Sequence, residues 1–251
     1  MRHSAFLAAA LAASITLSAC GYSVFDAAED AQGNDNGLTN GKAITAQTAT
    51  TATFTKVNTV GPDDVTFVTG DSFSIKAEGD AEAIKLLRYT IKDGTIIIGR
   101  SKNGWWSSDG DSVTVTITAP AFTEAALAGS GDFKADTMTG DALILAVAGS
   151  GDATISNVIG KQLGGKIAGS GDVIVSGTVD DVDFAVLGSG SIDAAKLVAA
   201  TAKVSIAGSG DVRVNATKTV DANIAGSGGV TVTGGAKCSK SVLGSGTVTC
   251  G

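Results

Sequence analysis

The sequence predicts an all-β solenoid of short stacked coils, and two patterns in its 251 residues carry that prediction. Gly-Ser-Gly occurs seven times at intervals of 20, 20, 19, 20, 18 and 18 residues, and a near-constant period of this length is typical of stacked structural units. Around each copy, apolar residues alternate with polar ones, as they do in strands with one buried face. The copies begin at Gly129, Gly149, Gly169, Gly188, Gly208, Gly226 and Gly244.

Each repeat is predicted to contain a strand, a glycine corner and a second strand. A corner that turns the chain within three residues needs positive φ or close backbone approach, and glycine allows both. Stacking the coils about 4.8 Å apart would bury their apolar sides in one continuous core. The inward positions two residues after the second glycine are Phe133, Ala153, Val173, Ile192, Val212, Val230 and Val248.

Two other folds with similar spacings are disfavoured. A leucine-rich repeat would show a Leu-x-x-Leu-x-Leu frame, which is absent. An outer-membrane barrel needs strands of about ten residues and aromatic girdles, whereas this chain has two Trp and two Tyr. A composition with 43% hydrophobic but only 5% aromatic residues favours a thin core of Val, Ile and Ala.

Residues 1–19 have the features of a lipoprotein signal peptide. Arg2 and His3 precede an apolar run that is too short to span a bilayer, and Leu17-Ser18-Ala19-Cys20 follows. This last group resembles the bacterial lipobox, which implies cleavage before Cys20 and attachment of lipid to its sulfur. The alternative is an ordinary secretion signal with an incidental cysteine. Gly21 does not resemble an inner-membrane retention signal, so we expect an outer-membrane lipoprotein, on the periplasmic face or the cell surface.

Residues 20–43 are expected to be the lipidated cysteine and a flexible tether, because this acidic stretch has little apolar surface to bury. Such a tether of about 22 residues reaches roughly 25 Å. Without the leader, which contains Arg2, 17 basic residues remain (18 − 1) against 25 acidic ones, a net charge of −8. Nucleic acid is therefore not an expected partner.

The remaining chain divides into two β-rich parts. In residues 44–120, apolar and polar residues alternate, but Gly-Ser-Gly does not occur. We interpret this part as irregular first layers that also cover the N-terminal end of the solenoid. Within them, Asp80 is predicted to cap a short helix that continues to Leu87. Residues 121–251 are the regular repeats. The predicted strands of the first part are 54–60, 64–69, 73–77, 95–98 and 113–119.

The lipobox, the irregular β segment and the repeated Ala-Gly-Ser-Gly-Asp together resemble the bacterial auto-transporter adhesin head family, also called GIN domains. The resemblance covers Phe54 to Gly251. It implies a right-handed parallel β-helix with coils of about 18–20 residues. It brings no activity and no catalytic residues, because the adhesin label of that family is itself an inference from architecture.

Aspartates after the corners are the first candidate site. Asp132, Asp152 and Asp172 would lie about 5 Å apart in a stack, and calcium takes several oxygen ligands. The structural alternative is that each carboxylate accepts a backbone N–H of the corner, as in an Asx-turn. Gaps in the row and the absence of the calcium-binding nonapeptide repeat favour that alternative. Asp211 continues the row, and Ser191, Gly229 and Thr247 interrupt it.

Cys238 and Cys250 are predicted to form a disulfide in the terminal coil. Both occupy inward columns of the repeat, and a secreted protein matures in an oxidising compartment. A bond between them would stabilise a coil that has no neighbour beyond it, by about 3 kcal/mol in the chain-entropy model. The alternatives are two free thiols, or a metal pair without further ligands.

Trp105 and Trp106 lie in a polar loop and form the other candidate binding feature. Adjacent tryptophans on a loop offer a sugar-stacking or protein-binding surface. The alternative is that one ring folds back over the end of the solenoid.

The sequence offers little for catalysis. His3 is the only histidine and leaves with the leader, so the mature chain has no imidazole for a triad or zinc site. No cofactor is indicated. The expected function is non-enzymatic. We expect a lipid-anchored envelope protein with an adhesin-like or scaffolding role. It would bind a protein or glycan partner, or form a homo-oligomer. The alternatives are a calcium-dependent carbohydrate-active β-helix enzyme and a sensor within an envelope complex.

Overall fold

A computed structural model describes residues 38–44, 48–49, 53–101 and 113–251. They form a right-handed parallel β-helix, as predicted, with seventeen strands in one continuous sheet and one short helix among the described residues. The N-terminal elements are β1 (Lys42–Ala43), β2 (Thr48–Ala49), β3 (Lys56–Gly61), β4 (Asp64–Thr69), β5 (Ser74–Glu78), α1 (Ala81–Leu86), β6 (Leu87–Lys92), β7 (Thr95–Arg100) and β8 (Thr114–Ala119).

The regular coils follow, and most strands that begin after a corner run on to the next corner. Consecutive coils pair in parallel along nearly their whole length, so corner lies on corner. The strands are β9 (Glu124–Gly129), β10 (Phe133–Gly149), β11 (Ala153–Gly169), β12 (Val173–Gly188), β13 (Ile192–Gly208), β14 (Asp211–Gly226), β15 (Gly229–Thr233), β16 (Lys237–Gly244) and β17 (Thr247–Cys250).

The first layers do not stack in sequence order. Strand β3 pairs in parallel with both β7 and β9, and β4 pairs in parallel with both β8 and β10. The layer made by β3 and β4 therefore lies between the layer made by β7 and β8 and the first regular coil. Along the sequence, the second layer comes first, the outermost layer comes next, and the regular coils follow.

Antiparallel strands cover the N-terminal end of the stack. Strand β5 pairs antiparallel with β8, and β6 pairs antiparallel with β7. Strands β2 and β1 then add to β5 and β6. Because these strands occupy the outer edge of the first layer, none of the described strands leaves a free parallel edge at the N-terminal end. The short helix lies between β5 and β6, and Asp80 caps it as predicted, accepting a bond from Ala83 N at 2.8 Å.

The core changes character along the axis. Aromatic side chains fill the first layers, where the Phe67 and Phe122 ring centroids lie 4.4 Å apart and Phe122 meets Phe133 edge-on at 5.8 Å. Beyond them, small aliphatic residues stack in register. Val212 lies directly between Ile192 and Val230, and all three are at most 1% exposed. The predicted dry column of aliphatic groups is present.

Each glycine of the repeated corner is required for a distinct reason. The first glycine, such as Gly149, has φ of +132°, a region that L-residues rarely adopt. The second, such as Gly171, has no such φ, but a Cβ added there would collide with the carbonyl oxygen of Gly151 in the preceding coil. An eighth corner of this kind begins at Gly61, with φ of +115°, and stacks on Gly129. The sequence pattern missed it because Pro62, not serine, follows.

Candidate binding surfaces

The aspartates after the corners bond from coil to coil. Asp132 Oδ1 accepts a hydrogen bond from Asp152 N at 3.0 Å, and Asp152 Oδ1 accepts one from Asp172 N at 2.8 Å. At the two ends of the row, Asp64 Oδ1 accepts from Asp132 N, and Asp172 Oδ1 accepts from Ser191 N. Each carboxylate therefore satisfies the backbone N–H of its successor in the next coil.

This arrangement refines the sequence-based expectation. The carboxylates do bond backbone N–H groups of a corner, as the structural alternative proposed, but of the neighbouring corner and not of their own. Among the described residues, no group of three or more His, Cys, Asp or Glu side chains is placed to hold a metal ion. Calcium binding by Asp132, Asp152 and Asp172 stays a prediction, which is tested below.

The terminal coil contains the predicted disulfide. Cys238 and Cys250 are bonded, with their Cα atoms 6.6 Å apart. Cys238 is in register with buried Val220, and Cys250 with buried Val232, so both occupy inward columns. Both cysteines occupy the inward positions that the sequence predicts, although Cys250 is exposed. No coil of the described chain lies beyond it, so an inward position there is still open to solvent.

Two sequence-predicted sites lie outside the described residues. These are the lipidation residue Cys20 and the tryptophan pair Trp105 and Trp106, and His3 lies outside as well. Within the described part of the chain, no helix has the length and apolar character needed to cross a bilayer.

A buried ion pair that sequence reasoning missed joins the first two layers. Arg100 Nη2 lies 2.6 Å from Asp63 Oδ1, and both side chains are about 95% buried. The hydrogen bond to Asp63 raises the pKa of Arg100, so the guanidinium keeps its charge. Asp63 Oδ1 also accepts a bond from Val113 N at 3.3 Å. Asp63 belongs to the Gly61 corner, so the pair fixes the outermost layer to the second one.

An open groove of about 550 Å³ runs across four coils on one outer face of the solenoid. Carboxylate, hydroxyl and ammonium groups line it, among them Asp181, Thr201, Lys203 and Asp221. Thr201 Oγ1 donates to Asp181 Oδ1 at 2.5 Å. Lys203 Nζ lies 3.9 Å from Asp183 Oδ2 in the preceding coil. The row offers both donors and acceptors to an extended polar ligand.

A family model described as "Putative auto-transporter adhesin, head GIN domain" matches residues 53–236. The chain belongs to this family. The match begins just before β3 and ends just before β16, so it covers most of the solenoid. Of the curated proteins, none matches the chain.

Solved structures show the same fold. A "putative adhesin" from Bacteroides fragilis is 23% identical and superposes with a TM-score of 0.71, covering 81% of this GIN-domain chain and 95% of its own. A "putative lipid binding protein" from Parabacteroides distasonis is 24% identical, with a TM-score of 0.64, and the match covers 84% of this chain and 98% of that one. A "putative adhesin" from Parabacteroides distasonis is 18% identical, with a TM-score of 0.66 and the same coverages.

Proposed function

We propose that the protein is a non-enzymatic, lipid-anchored protein of the cell envelope that binds through the outer faces of its solenoid. The observation that carries this proposal is the division of side chains within each coil. Inward columns fill the core, while outward columns present rows of polar groups on a rigid frame. Membership of a family described as an adhesin head supports a binding role at the cell surface.

The groove beside Asp181 and Lys203 is the contact surface that we assign to this role. Parallel pairing of the coils fixes the backbone beneath these groups, so little backbone order would have to be gained on binding. Replacing Lys203 by Glu reverses one charge in the groove. We expect weaker binding of that variant to immobilised mucin or to intact bacterial cells than of Lys134→Glu, which changes an exposed lysine on another face.

Anchoring is tested by cell fractionation. Cys20→Ser removes the sulfur to which lipid would be attached in a lipobox. We expect the wild-type chain in the outer-membrane fraction and the Cys20→Ser variant in the soluble or uncleaved fraction. An identical distribution of the two proteins would contradict the lipid anchor while leaving the binding role to be measured separately.

A calcium-dependent carbohydrate-active enzyme is the rival function. It needs carboxylate oxygens available to metal or sugar, but one oxygen of each of Asp132, Asp152 and Asp172 already accepts a backbone N–H. Incubating the protein with polysaccharide panels, with and without calcium, decides between the two. Release of shortened chains would replace the binding proposal with the enzymatic one.

A further inference from the structure

The groove on the outer face is built by four coils that lie in register. Strands β12, β13, β14 and β16 each contribute three successive residues, and the pairing aligns these residues without a shift. The first and last residues of each set form two outward rows, and the middle residue belongs to the inward column between them. Each row repeats with the coil spacing of about 4.8 Å. The rows are Asp181, Thr201, Thr219 and Lys237, and Asp183, Lys203, Asp221 and Ser239.

The two rows, and not the column between them, are available to a ligand. Val182, Ala202 and Val220 of that column are at most 4% exposed, whereas the residues of the rows are half-buried or exposed. The rows carry carboxylates, hydroxyls and ammonium groups, and the hydroxyl of Thr201 is already oriented by its bond to Asp181. A ligand in the groove is therefore held by hydrogen bonds to the rows along its length.

The charges of the groove disfavour a charged polymer. Its lining contains two carboxylates, Asp181 and Asp221, and two ammonium groups, Lys203 and Lys237, which balance each other. Counting Asp183 from the second row leaves a single excess negative charge. Nucleic acids and acidic glycans bind surfaces with an excess of Lys and Arg, and a polycation needs a clear excess of acid. An uncharged ligand is compatible with this balance.

The backbone beneath the groove is not available to a peptide. Strands β13 and β14 are each paired in parallel on both sides, so their N–H and C=O groups bond to neighbouring coils. A peptide that binds by strand addition needs an unpaired edge. An extended peptide also advances about 3.2–3.4 Å per residue, out of step with coils about 4.8 Å apart. Its repeating groups would meet the rows at irregular intervals.

A linear chain of sugar rings matches both the charge and the spacing of the groove. Rings joined through equatorial oxygens on opposite sides advance by one ring and one bridging oxygen, a length close to the coil spacing. Each ring also carries several hydroxyls, which both donate and accept hydrogen bonds. Such a ligand suits rows that mix carboxylates, hydroxyls and ammonium groups, and it places each ring beside its own coil.

We propose that this groove binds a linear, uncharged, β-1,4-linked polysaccharide that runs along the solenoid axis, with about one ring on each coil. The inference rests on the proposed binding function and names the class of ligand for the same surface. Four coils line the groove, so four consecutive rings fill it. A single ring makes few contacts, and the affinity depends on how many coils the chain covers.

Isothermal titration calorimetry with cello-oligosaccharides and chito-oligosaccharides of two to eight rings tests the proposal. The first series presents hydroxyls alone, and the second adds acetamido groups. The protein carries Cys20→Ser, so that lipid does not interfere. In at least one series we expect the Kd to fall about fivefold for each ring added up to four, as one further hydrogen bond per ring allows, and to change little beyond. Absence of binding in both series, or affinity that does not depend on length, overturns the proposal.

Two variants locate the binding in the groove. Thr219→Arg places a long side chain halfway along one row and should abolish binding. Thr231→Arg is the matched control, because Thr231 is an exposed strand residue in register with Arg213, outside the groove, and it should bind like the parent protein. Circular dichroism checks that both variants are folded. Equal binding by the two folded variants, or tighter binding of the polyanion hyaluronan than of either neutral series, contradicts the inference.

Binding to intact cells separates the ligand class from the binding function itself. Where Lys203→Glu weakens attachment of the protein to cells, an excess of the four-ring oligosaccharide should release it, and protease treatment of the cells should leave attachment intact. Attachment that protease removes and the oligosaccharide does not would overturn the polysaccharide ligand while the binding function stands. Attachment that Lys203→Glu does not weaken would instead remove the groove from the proposed function.

Discussion

Arg100 and Asp63 form a bidentate pair, with Nε donating to Oδ2 at 2.8 Å and Nη2 donating to Oδ1 at 2.6 Å. The pair lies where the chain departs from sequence order, because Asp63 is in the second layer and Arg100 in the outermost one. It is almost completely buried, unlike the other ion pairs of the described residues. Its position makes it a determinant of how the first layer attaches to the stack.

Asp63→Ala should destabilise the protein strongly. The substitution leaves the guanidinium of Arg100 buried opposite an apolar group, a change that typically costs about 3–5 kcal/mol. Asp141→Ala is the matched control, since Asp141 pairs with Lys161 at 2.8 Å on the exposed surface, where solvent screening leaves such a pair with little effect on stability. Urea unfolding measures both. Equal losses of unfolding free energy would show that the buried pair has no special role.

Gly171→Ala should be far more damaging than Gly164→Ala, although both add one methyl group. A Cβ at residue 171 would meet the carbonyl oxygen of Gly151, whereas at residue 164 the nearest atom is Leu143 O at 3.8 Å. Overpacking of this kind costs about 1–3 kcal/mol or more. Thermal melting of the two variants provides the comparison. If both melt like the wild-type protein, the coils are not in the close contact that the fold requires.

The hydroxyl of Tyr89 is buried without a hydrogen-bond partner among the described residues. Tyr89→Phe removes this unsatisfied group, so the variant should be as stable as the wild-type protein or more stable by about 1 kcal/mol. Burial also raises the pKa of Tyr89 above its ordinary 10.0. The unfolded chain then releases this proton first, so the stability that Tyr89 contributes is full below pH 10 and falls as pH rises through the folded pKa.

Melting temperatures measured below and above pH 10 test this assignment. Wild type should lose more stability across that interval than Tyr89→Phe, and the gap between them should widen with pH. A tyrosine at residue 89 that ionises at its ordinary pKa in the native protein would contradict the burial of its hydroxyl.

Substitutions of Asp152 distinguish a structural role of the aspartate row from a metal-binding role. If its Oδ1 is needed only as an acceptor for Asp172 N, Asp152→Asn should keep the bond and relieve repulsion between stacked carboxylates. Asp152→Ala should lose about 1 kcal/mol. Calcium should not raise the melting temperature of any of the three proteins. A calcium-dependent rise in wild type that Asp152→Asn abolishes would restore the calcium hypothesis.

Much of this architecture is predictable because the repeats are local and periodic. The corner at Gly149, the inward file around Val212, the Asp80 cap and the Cys238–Cys250 pairing all follow from residues within one or two coils. The order of the first layers does not follow, since β3 has two parallel neighbours that lie far from it in sequence. No local sequence pattern indicates the order of these layers.

The groove shows a similar limit. Asp181, Thr201 and Asp221 look like unremarkable surface residues in the sequence, and they become a row only when the coil register is known. A column-by-column alignment of the repeats would have revealed the row.

If this solenoid binds surfaces as part of the cell envelope, a strain that lacks it should attach less well than the wild type. Attachment of wild-type, deletion and complemented cells is compared on mucin, on polystyrene and on a layer of the same cells. We expect reduced attachment of the deletion strain to at least one surface, restored by the wild-type gene but not by Lys203→Glu. Equal attachment of wild-type and deletion strains to all three surfaces would contradict it.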